Sequence, residues 1–170
     1  MSKDKKKPSK LKEYIALFIF VFVIIQAIDM ARTSDIPIEK TPVTAGISLN
    51  KQHIDAIEQS KDKAVLVYFW ATWCVACKFV TPIVNWLSDD YSVVGISFNS
   101  GDDHRVQRYI KAKGYHFSTI NDANNQISRN WGVQVAPTLI VLKGGEVKST
   151  TSGLTTPMGI LGRMWLANIK

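Results

Sequence analysis

The sequence predicts an α/β protein in which a mixed central sheet is flanked by helices, with a transmembrane helix at the N-terminus. Three observations predict it. Short apolar runs alternate with stretches of helical character over residues 47–170. A lysine-rich tail precedes an uncharged apolar run at residues 14–28. The chain has two cysteines, Cys74 and Cys77, and they form a C-x-x-C motif.

The chain of 170 residues suits one domain of ordinary size with a short appendage, and 46% hydrophobic residues allow a buried core. The formal charge is +7, but it is unevenly spread. Residues 1–13 hold six lysines against Asp4 and Glu13, a net +4, which leaves +3 for the rest. A body that is only mildly basic argues against nucleic acid as a partner.

Residues 1–13 are therefore predicted to be a basic cytoplasmic tail and residues 14–31 a transmembrane signal anchor. The apolar run is shorter than the roughly 20 residues that span a bilayer core, but Lys12 and Arg32 can reach the two interfaces. The alternative is a cleaved signal peptide. Its cleavage site would be poor, because Ile25 or Asp29 would stand where a small residue is expected.

The lysines predict which side of the membrane each part occupies, because basic flanks stay cytoplasmic. We therefore expect a single-pass protein of the bacterial inner membrane, with its N-terminus cytoplasmic and the domain that follows the anchor periplasmic. Residues 32–46, with two prolines and no periodicity, are predicted to be a tether. Residues 47–170 are predicted to form one folded domain.

Within that domain, residues 64–71 (AVLVYFWA) are continuously apolar, as in a strand buried on both faces. Asp102 or Asp103 is expected to cap a helix that Gly114 closes. Gly144 and Gly145 predict a hairpin turn. In order, the predicted elements are a helix at 50–60, a strand at 64–71, a helix from the cysteines to about 89, a strand at 92–98, a helix at 102–113, a strand at 116–120, a helix at 122–131, a hairpin of 138–142 and 147–150, and a last helix opened by Pro157.

The C-x-x-C motif follows the buried strand and is expected to open the next helix. At a helix N-terminus, unpaired N–H groups and the macrodipole favour a thiolate, so Cys74 is predicted to be the nucleophile. Cys77, one turn further on, would resolve the mixed disulfide. Trp73 is expected to be exposed beside Cys74 as a substrate platform. The other tryptophans are expected to pack inside: Trp70, Trp86, Trp131 and Trp165.

Residues 69–77 (FWATWCVAC) resemble the hallmark of the thioredoxin superfamily. Pro82 lies where that family kinks the helix after the cysteines. Ala136-Pro137-Thr138 resembles the cis-proline loop that faces the active site, and Gly153 resembles the glycine that lines the substrate groove. The resemblance covers roughly residues 47–170 and implies a thioredoxin-like fold.

The resemblance also implies roles for individual residues. Cys74 and Cys77 would be the catalytic pair and form a redox-active disulfide. Trp73, Ala136, Pro137 and Gly153 would contact the substrate. The substrates would be protein disulfides, and neither a cofactor nor a metal is implied. His53, His104 and His116 are scattered without metal-ligand spacing and are interpreted as surface or packing residues.

Sixty residues separate Cys77 from Pro137, more than a minimal thioredoxin uses, and we place an inserted helix–strand unit there. This resembles the TlpA-like branch of membrane-tethered thioredoxins. The motif WCVAC and the stretch WGVQVAPT are most similar to the suppressor-for-copper-sensitivity protein D group. One departure is Tyr68, which occupies the position of the family's buried acid.

The leading hypothesis is an enzyme that reduces protein disulfides, is kept reduced by a membrane-embedded thiol electron donor, and is linked to copper tolerance. One alternative is a thiol reductant for cytochrome c maturation. Another is a Cu(I)-binding or redox-sensing module without turnover, since two thiolates suit Cu(I).

Overall fold

A computed structural model of the chain describes residues 10–33 and 41–169. The chain divides into two units, residues 1–31 and residues 32–170. Residues 1–9 of the predicted basic tail and residues 34–40 of the predicted tether lie outside the described residues.

The described part of the first unit is helical and belongs to α1 (Lys10–Thr33), whose last two residues lie past the boundary between the units. Its described side chains, those of residues 10–24, 27 and 28, are all exposed, and they include aromatic and branched apolar groups on every side. Over the residues that the structure describes, none of the helices is long and apolar enough to cross a membrane.

The second unit is a folded α/β domain. Its strands are β1 (Ala45–Ile47), β2 (His53–Asp55), β3 (Val65–Trp70), β4 (Ser92–Phe98), β5 (Ser118–Asp122), β6 (Thr138–Lys143) and β7 (Glu146–Ser152). Its helices are α2 (Ala56–Ser60), α3 (Cys77–Leu87), α4 (Asp103–Lys113), α5 (Gln126–Asn130) and α6 (Pro157–Ile169).

The central sheet has the strand order β5-β4-β3-β6-β7. Strands β3, β4 and β5 are parallel, whereas β6 is antiparallel to β3 and β7 is antiparallel to β6. The mixed sheet predicted from the sequence is therefore confirmed. Strands β1 and β2 form a separate antiparallel pair, and β1 starts at Ala45, inside the segment predicted to be a tether.

Strand β3 is the centre of the domain, and all six of its side chains are buried. On one face, Leu66, Tyr68 and Trp70 pack in a cluster with side chains of α3 and α6. On the other face, Val65, Val67 and Phe69 pack with α2 and with the loop after α5. This arrangement accounts for the unbroken apolar run in the sequence, because a parallel strand covered on both faces has no polar side.

Several boundaries differ from the prediction. The helix expected at residues 50–60 forms only in its second half, because residues 53–55 pair with β1 instead. The helix expected at 122–131 is reduced to α5. Asp122 ends β5, and its carboxylate accepts hydrogen bonds from the backbone N–H groups of Ile127 and Ser128. The strand expected at 116–120 lies two residues further on.

The prediction that all tryptophans except Trp73 pack inside is half right. Trp70 and Trp131 are fully buried, but Trp86 is 53% exposed and Trp165 63% exposed. The buried residues of α3 are Cys77, Val80, Thr81, Val84 and Leu87. Trp86 lies outside this set, on the exposed side of the helix. The hydrophobicity of the side chain alone could not predict that position.

Gly95 in β4 gives a first prediction. A Cβ at this position would lie 2.6 Å from Cε2 of the buried Phe117 ring, which packs edge-on against Tyr68 and Trp70. Because that ring cannot move freely, Gly95→Ala should lower the free energy of unfolding by about 1–3 kcal/mol. Urea denaturation followed by circular dichroism measures it.

The matched control is Gly162→Ala in α6, where an added Cβ would meet nothing within 4 Å. That substitution should raise the free energy of unfolding by about 0.5–1 kcal/mol, since alanine favours a helix interior. Equal effects of the two substitutions would contradict the close approach of the Phe117 ring.

Candidate active site

The two cysteines lie where β3 ends and α3 begins. A turn follows β3, closed by a hydrogen bond from the Cys74 N–H to the Ala71 carbonyl (3.2 Å). The helix was expected to begin at the first cysteine. It begins at Cys77 instead, about one turn later. Cys74 lies just before the helix, and its Sγ accepts a hydrogen bond from the Cys77 N–H (3.1 Å). The sulfur thus occupies the position of a capping acceptor for the first helical turn.

Cys74 and Cys77 form a disulfide, with their Cα atoms 5.3 Å apart. Cys74 is 5% exposed and Cys77 1% exposed, in agreement with the expectation that Cys77 is the more buried of the two. Val75, between them, is 67% exposed. Of the two cysteines, Cys74 is therefore the more accessible.

The loop before β6 lies at the same edge of the sheet as the cysteines. The register pairs Phe69 at the end of β3 with Thr138 at the start of β6, and Thr138 with Ser152 at the end of β7. The Ala136–Pro137 peptide bond is cis, as predicted. Gly153 donates its N–H to the Pro137 carbonyl (2.8 Å).

The fold thus brings the predicted substrate-binding residues together at one edge of the sheet. Ala136 and Gly153 are half-buried, and Pro137 is buried. Ala136 packs against the same apolar cluster that contains both cysteines.

Trp73 is 56% exposed beside Cys74, as predicted. Its indole Nε1–H donates to the carbonyl of Asn99, in the loop after β4 (2.8 Å). The backbone N–H of Thr72 donates to the hydroxyl of the buried Ser100 in the same loop (3.0 Å). Sequence reasoning did not identify Asn99 or Ser100. The available signal was a short polar segment directly after a buried strand, where parallel strands place functional loops.

Tyr68 lies six residues before Cys74, at the position where the resemblance to the thioredoxin superfamily would place a buried acid. Its side chain is fully buried, and its hydroxyl shares a hydrogen bond with Thr81 Oγ1 on α3 (2.8 Å). Burial raises the pKa of the Tyr68 phenol above its ordinary value of about 10. The phenol is therefore neutral at physiological pH and does not supply the ionised base that a carboxylate would.

The histidines are placed as the sequence suggested. His53 and His104 are exposed, and Nε2 of His116 pairs with Asp89 at the surface (2.8 Å). Within residues 10–33 and 41–169, no three His, Cys, Asp or Glu side chains come together in a group that could hold a metal ion.

Comparison with known proteins places this geometry in a family. The thioredoxin-like family matches residues 62–147. The thioredoxin-like protein of Haemophilus influenzae is 32% identical over 159 residues, covering 92% of this chain and 94% of the relative. The thiol–disulfide oxidoreductase ResA of Geobacillus kaustophilus is 27% identical over 163 residues, covering 89% of this chain and 92% of the relative.

A solved structure, that of a secreted Mycobacterium tuberculosis disulfide oxidoreductase homologous to E. coli DsbE, shares the fold. It superposes with a TM-score of 0.62 at 18% identity, over 72% of this chain and 94% of that one.

The Tyr68–Thr81 hydrogen bond gives a second prediction. Tyr68→Phe leaves the buried Thr81 hydroxyl without this partner, so the free energy of unfolding should fall by about 1 kcal/mol. Thiol–disulfide exchange should continue at the wild-type rate, because the neutral phenol transfers no proton. Urea denaturation and an exchange assay on the same samples measure both. A variant of unchanged stability with impaired exchange would contradict the structural role.

The free energy of unfolding of Tyr68→Phe should also depend on pH differently from that of the wild type at alkaline pH. Below pH about 10, folded and unfolded chains both keep the Tyr68 proton; above it, only the folded chain does, because its pKa is raised. Ionisation of Tyr68 in the unfolded chain alone should then lower the free energy of unfolding as pH rises, by up to about 1.4 kcal/mol per pH unit. Tyr68→Phe should show a shallower fall. Tyr109 and Tyr115, whose pKa values burial also raises, contribute to the fall that remains, as does Lys61, whose pKa is raised by its hydrogen bond to Glu58.

Proposed function

Because the chain belongs to the thioredoxin-like family and is a thiol–disulfide oxidoreductase, we propose that it reduces disulfides in extracytoplasmic proteins through Cys74 and Cys77. The observation that carries this proposal is the Cys74–Cys77 disulfide at the start of α3, with the Cys77 N–H directed at Cys74 Sγ. An N–H donor and a helix N-terminus both stabilise a thiolate more than a thiol.

In the reduced enzyme, the Cys74 thiolate is the nucleophile. It attacks one sulfur of the substrate disulfide, forming a mixed disulfide and releasing the other sulfur as a thiolate. The Cys77 sulfur then attacks Cys74 Sγ, which closes the Cys74–Cys77 disulfide and releases the second substrate sulfur. Two electrons pass from the enzyme to the substrate, and the second substrate sulfur leaves as a thiolate that takes a proton from water.

Deprotonation of Cys77 takes place without a buried carboxylate, because Tyr68 occupies that position and is neutral. The first substrate thiolate to leave is then the nearest acceptor for the Cys77 proton. This proton transfer converts the leaving sulfur to a thiol and makes Cys77 the attacking thiolate in the same step. The proposal gives the substrate, rather than the protein, the role of base.

The residues proposed to contact the substrate are those at the shared sheet edge. Trp73 offers an exposed aromatic surface beside Cys74, and the half-buried Ala136 and Gly153 lie at the same edge of the sheet. Pro137 connects them, since its carbonyl accepts the Gly153 N–H. An extended peptide carrying a disulfide fits such an arrangement of backbone groups.

The proposed direction of electron flow is reduction of the substrate. Val75 and Ala76 place neither a charge nor a side-chain hydrogen bond beside Cys74, so the thiolate is stabilised mainly by the helix start. A less stabilised dithiol form means a lower potential, with 30 mV corresponding to about 1.4 kcal/mol for a two-electron couple. A membrane-embedded thiol electron donor is proposed to return the enzyme to the dithiol form.

Residues 14–31 are proposed to anchor the protein in the bacterial inner membrane, with the catalytic domain in the periplasm. The support is the sequence of α1 and the exposure of its described apolar side chains on all sides, since a helix that is apolar all round is stable only inside an apolar environment. The lysines before it favour a cytoplasmic N-terminus. Tethering raises the effective concentration near a membrane donor.

The finer family assignment is also a proposal. We assign α4 and β5 to the inserted unit of the TlpA-like branch. The likeness to the suppressor-for-copper-sensitivity protein D group, and with it a link to copper tolerance, is supported by the active-site and cis-proline motifs alone.

The roles of the two cysteines are tested by trapping. Cys77→Ser should accumulate mixed disulfides with protein substrates, because the resolving sulfur is missing, whereas Cys74→Ser should accumulate none. Non-reducing gels of cell extracts, followed by identification of the trapped proteins, measure it. Trapping by Cys74→Ser instead would reverse the assignment, and absence of trapping by either variant, together with an inactive wild type in insulin reduction, would refute the function.

Anchoring and electron-flow direction are tested together in cells. The protein should sediment with membranes after a carbonate wash, keep an intact mass that includes residues 1–31, and have mostly reduced cysteines when alkylated directly. A chain that begins near residue 28 or 32 would refute the anchor. Mostly oxidised cysteines and a potential near the roughly −120 mV of the oxidant DsbA would reverse the direction.

A further inference from the structure

The loops after β3, β4 and β5 meet at one edge of the sheet, because these three strands are parallel and in register. The loop after β3 carries Trp73 and Cys74. The loop after β4 carries Asn99, and the turn after β5 carries Asn125. Their contacts form a chain of hydrogen bonds that ends at the exposed indole beside the nucleophile.

Asn99 and Asn125 bind each other through two hydrogen bonds. The Asn99 backbone N–H donates to Asn125 Oδ1 (3.0 Å), and Asn125 Nδ2 donates to Asn99 Oδ1 (2.5 Å). We call this reciprocal pair the asparagine clasp. The carbonyl of Asn99 remains directed at the active-site turn, where it accepts the Trp73 indole N–H.

Both asparagines are in the left-handed region, with φ of 49° for Asn99 and 55° for Asn125. A side chain makes this conformation unfavourable, although asparagine tolerates it better than most residues. Such conformations persist where surrounding contacts enforce them, and they concentrate at functional sites. Here the two unfavourable residues face each other, and each supplies the contact that holds the other.

We infer that the asparagine clasp is a positioning device for Trp73, which sets the orientation of the indole for protein substrates. The inference rests on the proposed function, since it names residues that determine specificity at the same site. Trp73 is more than half exposed, so packing alone does not fix its ring, and the Asn99 carbonyl supplies the directional contact. A protein disulfide that spans the indole depends on this orientation, whereas a small disulfide reaches Cys74 without it.

The test uses Asn125→Gly in the full-length chain in detergent. Glycine accepts the left-handed conformation freely, so the backbone is retained and only the clasp is lost. The matched control is Lys51→Gly, a substitution at another non-glycine residue with positive φ (63°), in the turn between β1 and β2. Asn125→Gly should lower kcat/KM for insulin about three- to tenfold through KM, as expected for the loss of one or two hydrogen bonds. The rate with 5,5′-dithiobis(2-nitrobenzoic acid) and the redox potential should stay at wild-type values, as should all rates of the control.

A second readout asks whether the effect passes through Trp73. Hydrogen exchange of the Trp73 indole N–H, assigned in NMR spectra with Trp73→Phe, should accelerate in Asn125→Gly. In a Trp73→Phe background, Asn125→Gly should change the insulin kcat/KM no further. An undiminished loss in that background, an equal loss with both substrates, or an unchanged insulin rate would each overturn the inference.

Failure of the proposed function gives a different result. A wild-type protein that reduces neither substrate would refute the function, whereas the indole exchange rate still decides whether the clasp holds Trp73.

Discussion

Burial of β3 on both faces is the constraint on which the rest of the domain depends. Each of its six side chains is inside, and the strand is hydrogen-bonded to β4 on one side and β6 on the other. A shift of one residue in register would exchange the residues of the two apolar clusters, Leu66, Tyr68 and Trp70 against Val65, Val67 and Phe69. The position at which the chain leaves the sheet is therefore fixed, and with it the place of Cys74.

The neighbours of β3 bring two different surfaces to that position. Because β4 and β5 run parallel to β3, the loops after them lie at the end of β3, where Asn99 and Ser100 bind the turn that precedes Cys74 and Asn125 binds Asn99. Because β6 is antiparallel to β3, it begins at the same edge of the sheet. Ala136–Pro137, which directly precedes β6, therefore lies at that edge as well. The mixed sheet thus places two different surfaces near the disulfide. The loop before β6 is apolar, and the loop after β4 is polar and accepts the Trp73 indole N–H.

The chemistry around the sulfurs is that of a neutral site. Cys77 is almost completely buried among apolar groups, Tyr68 in the same cluster stays protonated, and the residues between the cysteines carry no charge. The features that favour an anion there are the start of α3 and the Cys77 N–H at Cys74 Sγ. Since a helix terminus stabilises an anion by about 0.3–1 kcal/mol at exposed positions and more when buried, these groups give a moderate rather than an extreme preference for the thiolate.

The pattern of helices and strands and the cysteine pair could be predicted from the sequence. The apolar run of β3, the capped helix α4 closed by Gly114, the hairpin of β6 and β7, and the start of α6 at Pro157 follow from local signals, and each is where the sequence predicted it. The C-x-x-C motif after a buried strand identified Cys74 and Cys77 because their chemistry depends on short-range spacing. Local patterns could not give the pairing of β1 with β2, which removes half of a predicted helix, or the exposure of Trp86 and Trp165. Nor could they give the asparagine clasp, because Asn99 and Asn125 are joined only when β4 and β5 align in the sheet. Tertiary structure decides such features, since contacts between residues far apart in the chain exist only after the sheet has brought them together.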